Sequence, residues 1–156
     1  MFSYHPIDTP FGNFGAFGDV VSIWQQKCSG ERLPAWQDFS VADFHGWQTY
    51  MARSEANKAR NDLRFKFFGD GAVALQGEDF TGSSFAEALP IAYERIYKAH
   101  IEQMLAGAVI ATAKTPAAGN TVKQYFLQIL HLPLASDGGT VDQVLHLLRR
   151  YEETEV

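Results

Sequence analysis

Three sets of residues in this 156-residue chain are the ones whose types suit chemistry: His100, the pair His131 and His146, and the single cysteine, Cys28. His100 lies in residues 90–106, PIAYERIYKAHIEQMLA, on or beside the apolar stripe of the longest helical pattern. An imidazole there reads, from the residues alone, as a core-edge histidine bonded to backbone or water. His131 and His146 flank a turn signal at Ser136–Gly139. Closing the hairpin there sets His131 opposite Val144, with His146 two residues along on the same face and the rings about 7–8 Å apart. Such a pair forms a surface metal site or a pH-sensitive patch, or it simply packs and is solvated. The spacing offers no third ligand. One cysteine excludes an intramolecular disulfide and suits a reducing compartment.

The remaining motifs argue against catalysis. Gly69-Asp70-Gly71 lacks the Gly-Lys-Ser/Thr ending and the long helix of a phosphate loop. Gly77-Glu78-Asp79 is too short for a calcium loop. No nucleophile elbow joins a serine to a histidine, and no spacing pairs two carboxylates. The sequence reads as a non-enzyme. A formal net charge of −5, with Arg149-Arg150 as the one basic pair, disfavours a surface that tracks nucleic-acid phosphates. Hydrophobic content of 46% and charged content of 20% are those of a globular domain with a full core. The N-terminus has no signal-peptide pattern and no apolar run is long enough to span a membrane, so a cytoplasmic location is expected.

The elements that must position these residues follow from local pattern. Residues 1–18 read as irregular, with Phe11, Phe14 and Phe17 each followed by glycine; they are either a docking arm or a loop over the domain's own surface. Asp19 can cap a helix over Val20–Cys28 that Gly30 ends. Its stripe (Val20, Ile23, Trp24, Lys27) covers the outer face of a sheet or pairs with its copy in a dimer. Ser40-Val41-Ala42-Asp43 is a capping box, Gln48–Ser54 a first strand, Ser54–Asn61 a turn and Leu63–Phe68 a second strand. A tight break, a short helix over Ala72–Gln76 and a second break follow. Ser84-Phe85-Ala86-Glu87 is another capping box, and Pro90 suits a helix start. Three strands remain: Val109–Lys114, Thr121–Leu134 after the loop Thr115–Asn120, and Thr140–Leu148 after Asp137-Gly138-Gly139.

Four motifs, taken in order, resemble a small PAS family known mostly from alphaproteobacteria. They are Phe65-Lys66-Phe67-Phe68-Gly69, Gly77-Glu78-Asp79-Phe80-Thr81-Gly82, Leu132-Pro133-Leu134 and Asp137-Gly138-Gly139. The resemblance covers about residues 30–150. It implies an α+β fold, PAS-like: a five-stranded antiparallel sheet with helices on one face, two strands ahead of the long helix and three behind. The division expected is an N-terminal arm and helix (1–30), a PAS-like domain (31–150) and an acidic tail (151–156).

The resemblance also implies a ligand pocket between the long helix and the inner sheet face. Its candidate lining is Phe67, Tyr93, Tyr97, His100, Met104, Tyr125, Phe126 and Leu130, an aromatic, thioether and imidazole set suited to a small metabolite. In haem-binding PAS domains an axial histidine comes from the helix that carries His100 here. Cysteinyl-flavin chemistry is disfavoured, because Cys28 precedes the core. The expected function is a non-catalytic sensory or regulatory module that binds a small molecule, a signalling partner such as a histidine kinase, or both, and acts as a homodimer. The competing readings are an enzyme or ligand carrier on a cone-shaped α+β fold, and a ligand-free interaction scaffold. The strand count ahead of the long helix separates the first from PAS. An exposed apolar patch on Phe11–Trp24 would favour the second.

Overall fold

The computed structural model describes residues 2–89, 91–116 and 125–151. One antiparallel sheet organises them. Its strands are β1 (Phe2–Pro6), β2 (Met51–Asn57), β3 (Asp62–Phe68), β4 (Val109–Pro116), β5 (Phe126–Leu134) and β6 (Gln143–Tyr151). They lie side by side in the order β1-β4-β5-β6-β2-β3. The helices are α1 (Gly18–Lys27), α2 (Asp70–Gln76), α3 (Phe85–Ala88) and α4 (Glu94–Ala106). A 3-10 turn over Phe11–Phe17 leads into α1.

Alternation along the strands feeds two separate cores. Leu130, Leu132 and Leu134 of β5 and Leu145 and Leu147 of β6 turn to the outer face, where Phe14, Phe17, Val20, Val21 and Trp24 cover them. Leu127 of β5 and Val144 and Leu148 of β6 turn to the inner face, against Ala72, Phe85, Ile101 and Met104 from the three later helices. Both faces are therefore apolar, and the protein is a three-layer stack of helix, sheet and helices. Trp24 is completely buried and its indole N–H donates to the Pro133 carbonyl at 3.1 Å. The apolar stripe of α1 is thus spent on the domain's own sheet. Phe11 alone of the three N-terminal phenylalanines is half exposed.

Several sequence expectations are corrected. The stretch expected to be irregular holds a strand: Phe2–Pro6 forms a sixth strand paired antiparallel with β4, from Phe2↔Ala113 to Pro6↔Val109. Asp19 lies in the first turn of α1 and does not cap it. The hairpin between β5 and β6 closes at Leu134↔Gln143, not at Ser136–Gly139, so residues 135–142 form a longer connection. Within that connection Asp137 Oδ1 accepts from the Gly139 and Thr140 amides at 2.9 and 2.7 Å, an Asx-type turn. The final strand reaches Tyr151. The expected role of Pro90, most of the loop after Pro116, the strand start at 121–124 and the tail from 152 lie outside the described residues.

The strand-to-helix break after β3 depends on Gly69. Its amide donates to Met51 O, and a Cβ at this position would collide with the Thr49 carbonyl oxygen. This contact locks α2 beneath the start of β2, while Gly77, at φ 88°, ends α2 in the left-handed region.

Replacing Trp24 with alanine empties the largest buried side chain of the outer layer and should cost about 3–5 kcal/mol. Urea unfolding of Trp24→Ala measures it. A loss below about 1 kcal/mol would show that α1 is not part of the core.

Candidate functional site

The inner face holds a cavity of about 290 Å3. Its floor is the sheet, and its lid comprises α2, α3, the 3-10 turn Ile91–Tyr93 and α4. Small residues leave the space: Ala52 on β2 is paired with His146, and Ala113 on β4 with Ile129. Phenyl rings build the walls, with Phe65 stacked on Phe85 at a centroid separation of 4.7 Å and edge-on to Phe68 at 5.3 Å. The rim, where the lining reaches solvent, includes Tyr93 and Pro116. No Asp, Glu, Lys or Arg occurs among the described lining residues.

Three histidines meet at this cavity. His131 on β5 sits directly opposite His146 on β6, and their Nδ1 atoms are 2.7 Å apart. The far nitrogen of His146, Nε2, is 2.8 Å from the Ser54 hydroxyl on β2. His100 on α4 approaches His131 at 4.7 Å between centroids, and its Nδ1 is 2.9 Å from the Tyr4 hydroxyl. Phe2 stacks on the His100 ring at 3.9 Å, nearly parallel. All three imidazoles are almost fully buried. Among the described residues, His100 Nε2 and His131 Nε2 have no hydrogen-bond partner.

Burial without a carboxylate keeps these rings uncharged. Desolvation lowers the pKa of His100 to about 4, and desolvation followed by the His100 charge lowers that of His146 to about 3. His131 is driven well below the usual histidine value, first by burial and then by its two histidine neighbours.

Of the residues expected to line a pocket, Tyr93, Tyr97 and His100 do so. Phe67 does not: it is 40% exposed on the opposite face of β3. A bulge explains this, since Ser54 pairs with Phe65 while Arg53 pairs with Phe67, so Lys66 is the extra residue. Phe65 and Phe68 consequently face inward together. Leu130 lies in the outer core under α1, and Phe126 at the head of β5 shares its strand parity. Met104 is buried in the inner core without reaching the cavity. Tyr125 packs beside that core and donates its hydroxyl to Leu75 O at 2.6 Å.

His131 and His146 form neither a surface patch nor the diagonal pair expected; they are directly opposed and interior. No group of three or more His, Cys, Asp or Glu side chains among the described residues could hold a metal ion. Phe2, Tyr4 and Ser54 were not anticipated at this site. The alternation Phe2/Tyr4 against Ser3/His5 was the available signal for the first two.

A second, open groove of about 420 Å3 runs between β3 and the helices α3 and α4. Its charges neutralise one another at the surface, with Arg64–Glu87 at 3.3 Å and Lys98–Glu94 at 2.8 Å. It has the character of a solvated face.

An antiparallel sheet with helices laid over a cavity on one face defines an α+β domain with an internal pocket. The family model described as PAS domain matches residues 16–149, and the chain belongs to that family. Within the matched region two strands precede α4 and three follow it; β1 lies outside it. One solved structure agrees on the fold at a TM-score above 0.5. A light-oxygen-voltage domain studied with a flavin analogue is 15% identical, with a TM-score of 0.54 over 75% of this chain and 88% of that one. The light-state structure of the blue-light photoreceptor Aureochrome1 LOV is 13% identical, with a TM-score of 0.49 over 74% and 90% of the two chains. The Drosophila melanogaster Cycle PAS-B domain with bound glycerol is 12% identical, with a TM-score of 0.49 over 65% and 98%. A search of the curated proteins found no match. No helix among the described residues is long and apolar enough to cross a membrane.

The histidine cluster makes stability acid-sensitive. Each ring binds a proton more weakly when folded, so between the unfolded value near 6.5 and the lowered folded values the unfolded chain holds more protons. The stabilisation is complete above about pH 6.5 and is lost progressively as the pH falls toward about 4 and below. Three rings set an upper slope of about 4 kcal/mol per pH unit. Urea midpoints should therefore drop between about pH 7 and pH 5. Unchanged midpoints over that window would contradict the buried neutral cluster.

Proposed function

We propose that this PAS-family protein is a non-catalytic sensory module that holds a small molecule in its inner cavity. It passes occupancy on by association with itself or with a signalling protein such as a histidine kinase. The observation that carries this reading is a largely aromatic and aliphatic cavity whose lining includes the polar side chains of Gln76 and Thr115 and two buried histidines, each with one ring nitrogen unpartnered among the described residues. A buried polar atom left unpaired costs on the order of 1–3 kcal/mol, which a ligand can recover.

Size and chemistry narrow the occupant. The cavity is about twice the volume of one that holds benzene and falls just below the range usual for drug-sized ligands. It suits something smaller than a tetrapyrrole or a flavin. Cysteinyl-flavin chemistry also does not fit. Cys28 lies on the outer side of the sheet, packed against the α1 core, with its thiol on Trp24 O at 3.5 Å. The ligand-free scaffold reading loses its support, because Phe14, Phe17, Val20, Val21 and Trp24 are buried instead of forming a surface patch.

Transmission requires that a ligand favour one arrangement over another. The link closest at hand is β1. Phe2 and Tyr4 bind this edge strand to His100, so an occupant that engages His100 acts directly on β1.

Native mass spectrometry of freshly purified protein tests the reading, with Ala113→Phe, which fills the cavity, as the comparison. The expected result is a small excess mass on the wild-type chain that Ala113→Phe loses. A bare chain, together with unchanged His100 and His131 ring resonances in a mixture of small aromatic compounds, would contradict it.

A further inference from the structure

One polar side chain at the cavity takes no part in the histidine network. Gln76, the last residue of α2, lines the cavity and is only 9% exposed. Among the described residues its carboxamide makes no hydrogen bond. Nor is that amide sealed away like His100 Nε2 and His131 Nε2. Neither of its polar atoms is among the fully buried ones that lack a partner, so both keep accessible surface. A carboxamide so far removed from water calls for an acceptor for its NH2 and a donor for its oxygen.

Other polar groups of the lining are placed differently. The Thr115 hydroxyl donates to the Pro116 carbonyl at 3.4 Å, and Tyr93 is 44% exposed at the rim. Gln76 alone in the described lining is an amide, with a donor and an acceptor side by side on one rigid plane. Charge is missing from its surroundings. The lining has no Asp, Glu, Lys or Arg, and burial keeps its three imidazoles and the Tyr97 phenol neutral. An ionic ligand would therefore enter without a counter-charge. Phe80 adds to the aromatic walls, stacked on Phe65 at 6.1 Å and edge-on to Phe68 at 5.8 Å, and such walls suit a flat ring.

Resting on the reading of the inner cavity as a ligand site, we propose that its ligand is a small, neutral aromatic carboxamide or lactam, held by paired hydrogen bonds to the Gln76 amide. The ligand's carbonyl oxygen accepts from Gln76 Nε2, and its N–H donates to Gln76 Oε1. Both bonds form together only where the ligand's N–H and C=O point the same way, as they do in a primary amide or a lactam.

Calorimetric titration of the intact protein with three probes of one shape tests this. They are 2-naphthamide, 2-acetylnaphthalene, which keeps the carbonyl and lacks the N–H, and 2-naphthoate, which is charged. The expected order is the amide tightest, by about fivefold or more over either of the others. Gln76→Met, which keeps the length of the side chain, and Gln76→Leu should each erase that preference while the ketone still binds as before. Ala113→Phe should abolish binding of both neutral probes. Equal binding of amide and ketone, tightest binding of the naphthoate, or an amide preference that survives both Gln76 variants would overturn the amide assignment and leave the cavity as a ligand site. Binding of none of the three, or binding unaffected by Ala113→Phe, would overturn both.

Discussion

Three almost fully buried imidazoles share the inner face with no charged side chain in the described cavity lining, and the rest of the inner layer is arranged around keeping them neutral. Neutral imidazole has one donor and one acceptor, so each ring must find two complementary partners or leave one nitrogen unmet. Ser54 from β2 and Tyr4 from β1 supply the outer ends of the two chains, and His131 and His146 satisfy each other across the β5–β6 ladder. Removing any one of these groups would leave a further buried polar atom without a partner, so strands distant in sequence are coupled through three rings.

That arrangement needs a sheet covered on both sides. Were the outer face open, β5 and β6 would carry polar residues at Leu130, Leu132, Leu145 and Leu147; with Trp24 and its neighbours over them, both faces are apolar. The outer layer stiffens the strands that hold His131 and His146 in register. The inner layer can then leave a cavity, because α4 brings His100 over the sheet and the alanines at 52 and 113 leave the floor low. The same covering explains why β1 matters. It lengthens the sheet past β4, beyond the part of the chain that the family shares, and delivers Phe2 and Tyr4 to the top of His100.

Much of the fold was legible. The break at Gly69-Asp70-Gly71, the capping box at Ser84, where the Glu87 amide donates to Ser84 Oγ at 3.2 Å, and the long helix ending at Gly107 all follow from local pattern. The family motifs in order implied the strand sequence from β2 to β6. The site was less legible, for three physical reasons. A bulged residue cannot be seen in a strand's own sequence, so Phe67 was placed inward when Phe65 and Phe68 are. Strands apolar on both faces lose their alternation, which put Leu130 and His100 on one list although His131 is the inward neighbour. Turn residues mark where a chain bends but not where pairing resumes: Asp137-Gly138-Gly139 lies inside a longer connection, and the two-residue error in pairing hid the direct His131–His146 contact.

The most direct measurement of the central claim is a nitrogen-15 NMR titration of the histidine rings in the folded protein. This account predicts that His100, His131 and His146 stay uncharged from about pH 7 down to about pH 5. Rings that titrate near the ordinary value of about 6.5 would contradict it.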